Sequence, residues 1–129
     1  MKYIILLLSI LLLTSCKKEF ASPEIQKAYE SVMEVHDEVM PEITTIQKLK
    51  RQIKKQDAKD KEAMDLIKQL ENADDGMMDW MSDFKLDQKA TKEQQLVYLN
   101  SEQTKIDKVS YDMKNSIENA RIYLNIIND

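Results

Sequence analysis

Ile25, Val32, Val39, Ile46 and Ile53 recur every seven residues, and no other feature limits the fold of this chain so tightly. A seven-residue apolar recurrence keeps one seam of an α-helix against a neighbour. In a strand, with its period of two, the same residues would scatter over both faces. Ala28, Val35 and Leu49 fill most of the companion seam. Ser22-Pro23 reads as an N-cap followed by proline at the first helical position. These signals predict a first helix over about 23–56, with a short turn at Gln56-Asp57-Ala58.

A second helix is expected over about 59–84. Ala63, Leu70, Met77 and Phe84 share one heptad position, Leu66, Ala73 and Trp80 the next, with Ile67 and Met81 beside them. So wide an apolar stripe suits a helix that touches two others. Residues 85–90 form a connection. Thr91 and Gln94 have capping-box spacing, so a third helix starts near 92. Leu99, Ile106, Met113, Ala120 and Ile127 mark its seam, and Leu96, Ile117 and Leu124 flank it. Gln103, Ser110 and Ser116 make the middle of that stripe more polar than the other two. The chain has one glycine and two prolines, which leaves little turn chemistry. The expected fold class is therefore all-α: an antiparallel up-down-up three-helix bundle of long helices over 23–129. A long coiled-coil dimer competes with it, because heptads satisfy both.

The first fifteen residues are different. Lys2 is followed by an apolar run, Tyr3 to Leu13, interrupted only by Ser9, and then by the small residues Thr14 and Ser15. That is the layout of a secretory signal peptide, too short for a comfortable membrane span. Leu13-Thr14-Ser15-Cys16 resembles the bacterial lipobox, in which cleavage precedes the cysteine and its thiol carries a diacylglycerol. The alternative is a plain signal peptide with an incidental cysteine. A disulfide within one chain is excluded, since Cys16 is the only cysteine. The expected organisation is a lipoprotein signal peptide at 1–15, a lipid-anchored tether at 16–22 and the bundle beyond. Lys17 after the cysteine resembles lipoproteins sent on to an outer membrane, and Cys16-Lys17-Lys18-Glu19 resembles signals for surface exposure.

Loss of Lys2 with the leader would leave 18 Lys and Arg against 23 Asp and Glu, a net of −5. Phosphate binding needs a basic excess, so nucleic acid is not an expected partner. Charge is unevenly spread. Residues 47–61 hold seven Lys or Arg and two Asp, whereas residues 62–87 hold eight Asp or Glu and two Lys. Cations ending one helix and anions opening the next suit the helix dipole and salt pairing. A positive tip for an acidic envelope partner is the other reading.

Two local irregularities fall near one level. Pro41 lies inside the first helix and should kink it. Gly76 lies inside the second, where glycine costs about 1 kcal/mol against alanine. Paired around the turn near 57–58, the two face each other, and a close approach there is expected. The same level carries Met33, His36 and Met40 on one stripe, beside Tyr29 and Ile43. Met77, Met78, Trp80 and Met81 lie on the facing helix, and Tyr98 comes from the third. Three uses of this set compete: core packing, a groove for a partner, and a soft-metal site, since thioethers and imidazole are the ligands Cu(I) prefers.

The segments "HDEVMP", "ADDGMMDWM" and "KIDKVSYDMKNSIENA" resemble a group of small bacterial lipoproteins that carry the automatic label "viral A-type inclusion protein". The resemblance spans most of residues 28–125. It implies a helical envelope lipoprotein and carries no functional residues over.

Catalytic motifs are lacking. A single glycine forbids a Gly-rich phosphate loop, and one histidine forbids two-histidine zinc or di-iron sets. Met33 stands where a Glu-x-x-His fragment would need its glutamate. No credible nucleophile set is present, and acidic pairs such as Asp74 with Asp75 read as surface charge. The expectation is a non-enzymatic, lipid-anchored interaction or structural module of the bacterial cell envelope, without a cofactor. Its partners would be the membrane and another envelope protein. A copper-handling periplasmic protein using the Met/His stripe is the alternative.

Overall fold

Proline decides the first departure from expectation. In the computed structural model, which describes residues 20, 22–56 and 60–124, the segment 23–56 is two helices and not one kinked helix: α1 (Pro23–Val39) and α2 (Glu42–Gln56). Pro41 has no N–H to donate to the carbonyl four residues back, and its ring crowds that carbonyl. Met40 still donates to the His36 carbonyl at 2.8 Å. Ile43 and Thr44 then donate to Met40 and Pro41, only three residues back, which restarts the helix. The apolar phase survives this break, because Val39 and Ile46 are both fully buried.

Two further helices follow, α3 (Lys61–Asp83) and α4 (Lys92–Tyr123). Their starts are set by side chains that satisfy the free N–H groups of the first turn. Ser22 accepts from Ile25, Asp60 from Glu62, and Thr91 from Gln94, while the Gln94 side chain accepts from the Thr91 N–H. The leader, Cys16, most of the tether, the turn at 57–58 and Ile127 lie outside the described residues.

Cross-helix pairs give the topology. Lys92 meets Glu24 at 2.9 Å and Lys114 meets Glu38 at 2.6 Å, so α1 and α4 run parallel. The Lys92 hydrogen bond holds the Glu24 carboxyl down at about 2. Lys50 meets Glu71 at 3.1 Å, and the Asn119 amide donates to Gln69 at 3.1 Å. Gln47 also donates to Asp74 and Tyr123 to Asp60, so in both helix pairs the partner number falls as the other rises, and both α2 and α4 are antiparallel to α3. The result is a three-legged, all-helical bundle: α1 with α2 as one bent leg, α3 as the second, α4 as the third. No strand occurs among the described residues.

The core is the heptad seam. Ile25, Val32, Val39, Ile46 and Ile53 are fully buried, as are Ala63, Leu70 and Met77 on α3 and Leu99, Ile106, Met113 and Ala120 on α4. Together with Leu49, Leu66, Ala73, Trp80 and Ile117 they form one cluster. No described helix is long and apolar enough to cross a membrane.

Candidate functional site

Aromatic rings gather at the end of the bundle where α1 begins, α3 ends and α4 begins. Phe84, the C-cap of α3, is their hub. Its ring centroid lies 5.0 Å from Trp80, 5.9 Å from Tyr98 and 6.0 Å from Tyr29. Phe20 extends the chain of contacts, 4.9 Å from Tyr29. The Tyr98 hydroxyl accepts from the Lys85 N–H at 2.7 Å and ties the α3–α4 connection to α4. Tilted ring pairs at these separations add about 0.5–1.5 kcal/mol each beyond their buried area.

His36 joins this cluster from α1. Its ring lies 5.7 Å from that of Trp80, its side chain is 13% exposed, and its Nδ1 sits 2.8 Å from Asp37 Oδ1. Trp80 is buried, and its indole N–H has no acceptor among the described residues.

The eight residues expected at one level do not form one surface. Met77 is wholly in the core, while Met78 and Met81 are about 40% exposed on the outer face of α3. Met33 and Met40 are half-buried and pack on the core from α1 and its C-cap. Tyr98 sits against Phe84 and Lys85, about one turn beyond the expected height. The His36–Trp80 ring contact joins the two sequence stretches. Among the described residues no group of three or more His, Cys, Asp or Glu could hold a metal ion.

The Pro41–Gly76 approach is also corrected. A Cβ built on Gly76 would meet nothing within 4 Å. Gly76 opens toward α4, in a cavity of about 320 Å³ that it shares with Trp80, Glu102 and Val109. Glycine here clears space beside α4 and does not admit the bent backbone of the first leg.

The polar character expected in the middle of the α4 stripe holds for Ser110 and Ser116, whereas Gln103 is only half-buried, and Gln95 and Glu102 are buried polar residues the sequence reading missed. Gln95, Glu102 and Ser116 are buried, and Ser110 with them. Gln95, Glu102, Val109 and Ser116 are spaced by seven, so the signal was a heptad position that is mostly polar. Gln95 donates to the Ala90 carbonyl at 2.9 Å, Ser116 to the Met113 carbonyl at 3.0 Å, and Glu102 accepts from Lys105 at 2.7 Å. That bond pushes the Lys105 ammonium pKa up.

The geometry defines a small α-helical bundle protein with an aromatic end and a polar seam. Comparison with protein-family models, with curated proteins and with solved structures finds no match.

Proposed function

We propose that this chain is a lipid-anchored helical protein of the bacterial cell envelope, acting as a non-enzymatic interaction or structural module. The observation that carries the reading is the place of Phe20. Its ring packs on Tyr29 at the aromatic end, only four residues after Cys16. Four residues span at most about 14 Å. A diacylglycerol on Cys16 would therefore hold the aromatic end at the headgroup layer, where amphipathic rings are favoured. Lys48, Arg51, Lys54 and Lys55 are exposed near the opposite end. At 1.5 Å per residue, α1 and α2 would carry them about 40–50 Å away from the bilayer. An outer membrane is the favoured location, on the strength of Lys17 after the cysteine.

Cys16→Ala tests this reading. The native chain should fractionate with membranes and resist an alkaline wash. The variant should be released by that wash, because a single modified thiol supplies the whole anchor and each buried methylene contributes about 0.8 kcal/mol. Retention after the wash of a variant whose mass shows that residues 1–15 have been removed would overturn the anchor. So would an intact mass for the mature native chain that shows no lipid on Cys16.

A further inference from the structure

Between α3 and α4, three separate cavities lie in a row and share lining residues. One of about 610 Å³ is lined by Asp60, Asp65, Leu66, Gln69 and Ile122. Gln69 also lines the next, of about 230 Å³, with Asn72, Ala73, Asn115 and Ser116. Asp112 lines that cavity and the third, of about 320 Å³, with Gly76, Trp80, Glu102 and Val109. A groove thus follows α3 from Asp60 to Asp83, about 35 Å at 1.5 Å per residue.

We propose that this groove is the docking site of a basic amphipathic helix from a partner protein. Gly76 is the first support. It is the only glycine in the sequence, and it stands in mid-helix where it costs about 1 kcal/mol against alanine. Nothing in the fold occupies the space a Cβ would take. With Ala73 it leaves the centre of the groove shallow in side chains, which lets another backbone approach closely. Trp80 is the second support. It lines the same cavity as Gly76 and gives that part of the groove an apolar floor.

The occupant follows from length, spacing and charge. Leu66 and Ile122 are apolar at one end, and Trp80 and Val109 at the other. Leu66 and Trp80 are almost wholly buried, so the apolar surface on offer is exposed Ile122 and half-buried Val109, thirteen residues apart on α4 and about 20 Å at 1.5 Å per residue, within reach of one partner helix. Asp60, Glu62, Asp65, Asp83, Glu102 and Asp112 line the groove against Lys61, Lys105 and Lys108, a net of −3. Lys105 and Lys108 are already paired with Glu102 and Asp112. A cationic helix complements that surface, whereas a second copy of this chain brings a net charge of −4 with it.

The proposal deepens the reading of an interaction module and does not depend on the anchor, which the Cys16 experiment tests separately. The test uses the full chain in a neutral detergent and two helical peptides of about 22 residues, one of Leu and Lys, the other of Leu and Glu. Binding is followed by the fluorescence of Trp80, the only tryptophan, and by amide shifts of isotopically labelled protein. The Leu/Lys peptide should bind saturably and shift the amides of Gln69, Gly76 and Asp112. The Leu/Glu peptide should bind at least tenfold more weakly. Gly76→Leu, which fills the groove, and Asn115→Arg, an exposed change at its centre, should each weaken the Leu/Lys peptide at least tenfold. Binding to either variant as tight as to the native chain, equal binding of the two peptides, shifts confined to other faces, or no binding would overturn the proposal. Shifts at the same amides on concentrating the protein alone would make a second copy the occupant, and would equally overturn it.

Discussion

Replacing Trp80 by alanine should destabilise the bundle by about 3–5 kcal/mol, the range for removing a buried large aromatic side chain. The indole is 6% exposed and packs on His36 and Phe84. Its loss would leave Phe84 with Tyr29 and Tyr98 alone and would open a void beside Met77. The groove wall can admit water on one side, which places the expected value toward the lower end. Denaturant unfolding followed by circular dichroism measures it, because the fluorescence probe is gone. Trp80→Phe is the informative companion. The indole N–H has no acceptor to lose, so phenylalanine should cost under about 1.5 kcal/mol, as for other near-conservative apolar exchanges. Equal losses in the two variants would mean that the indole N–H has a partner and that the packing account of Trp80 is wrong.

Glu102→Leu should have the opposite sign. Glu102 lies on the α4 seam between Leu99 and Ile106, and its side chain is 4% exposed. Its partner Lys105 is 60% exposed. The carboxylate therefore loses most of its hydration, while the ammonium keeps its own and contributes only a screened attraction. Exchanging a buried ionic group for an apolar one of similar volume is often neutral or stabilising, by about 1–4 kcal/mol. For a domain of this size each kcal/mol moves Tm by about 4–8 °C. A rise of several degrees is expected. The pH dependence follows from Lys105, whose pKa is raised above its ordinary 10.5 by Glu102. Stability from that pair is fully present below 10.5 and is lost as pH rises through the higher folded value. The stabilisation in Glu102→Leu should then be the same at pH 6 and pH 8. A Tm that falls in the variant would show that Glu102 is held by more than Lys105.

Much of the fold is legible in the chain because a heptad seam specifies both the helix and the face it buries. Ile25 through Ile53 and Leu99 through Ala120 needed only counting. The caps at Ser22 and Thr91 are equally local, each a short side chain reaching the N–H group three residues on. The break at Pro41 was misjudged as a kink because the apolar phase runs straight through it. Periodicity reports which face is buried and not whether the hydrogen-bond ladder is continuous.

The candidate site was less legible for a related reason. Met78 and Met81 have the same chemistry as Met77, and only their azimuth on α3 separates outer face from core. Phe84 and Phe20 became important through the aromatic end, a place where three chain segments meet and no single stretch shows the cluster. Glu102 and Gln95 escaped notice because the eye follows apolar residues along a seam, and these two occupy seam positions as polar ones. Gly76 was read against the wrong neighbour. Its height on α3 follows from counting, but the direction it opens depends on how α3 is rotated between the other two legs.

One chain supplies all the packed helices, and side chains bridge the α3–α4 groove at its Asp60 end, where the Tyr123 hydroxyl donates to Asp60 at 3.0 Å. Gln69 and Asn119 face each other across that groove, with their side chains hydrogen-bonded at 3.1 Å. In a Cys16→Ala background, Gln69→Cys with Asn119→Cys can be joined by a short bismaleimide. Mixing light and heavy-isotope copies before crosslinking tells bonds within a chain from bonds between chains. The account predicts that the crosslink forms within single chains, with native helicity and without mixed-isotope products. Crosslinked products of twice the chain mass, with light–heavy species among them and no crosslink within single chains, would contradict it and would make the heptads the seam of a coiled-coil dimer.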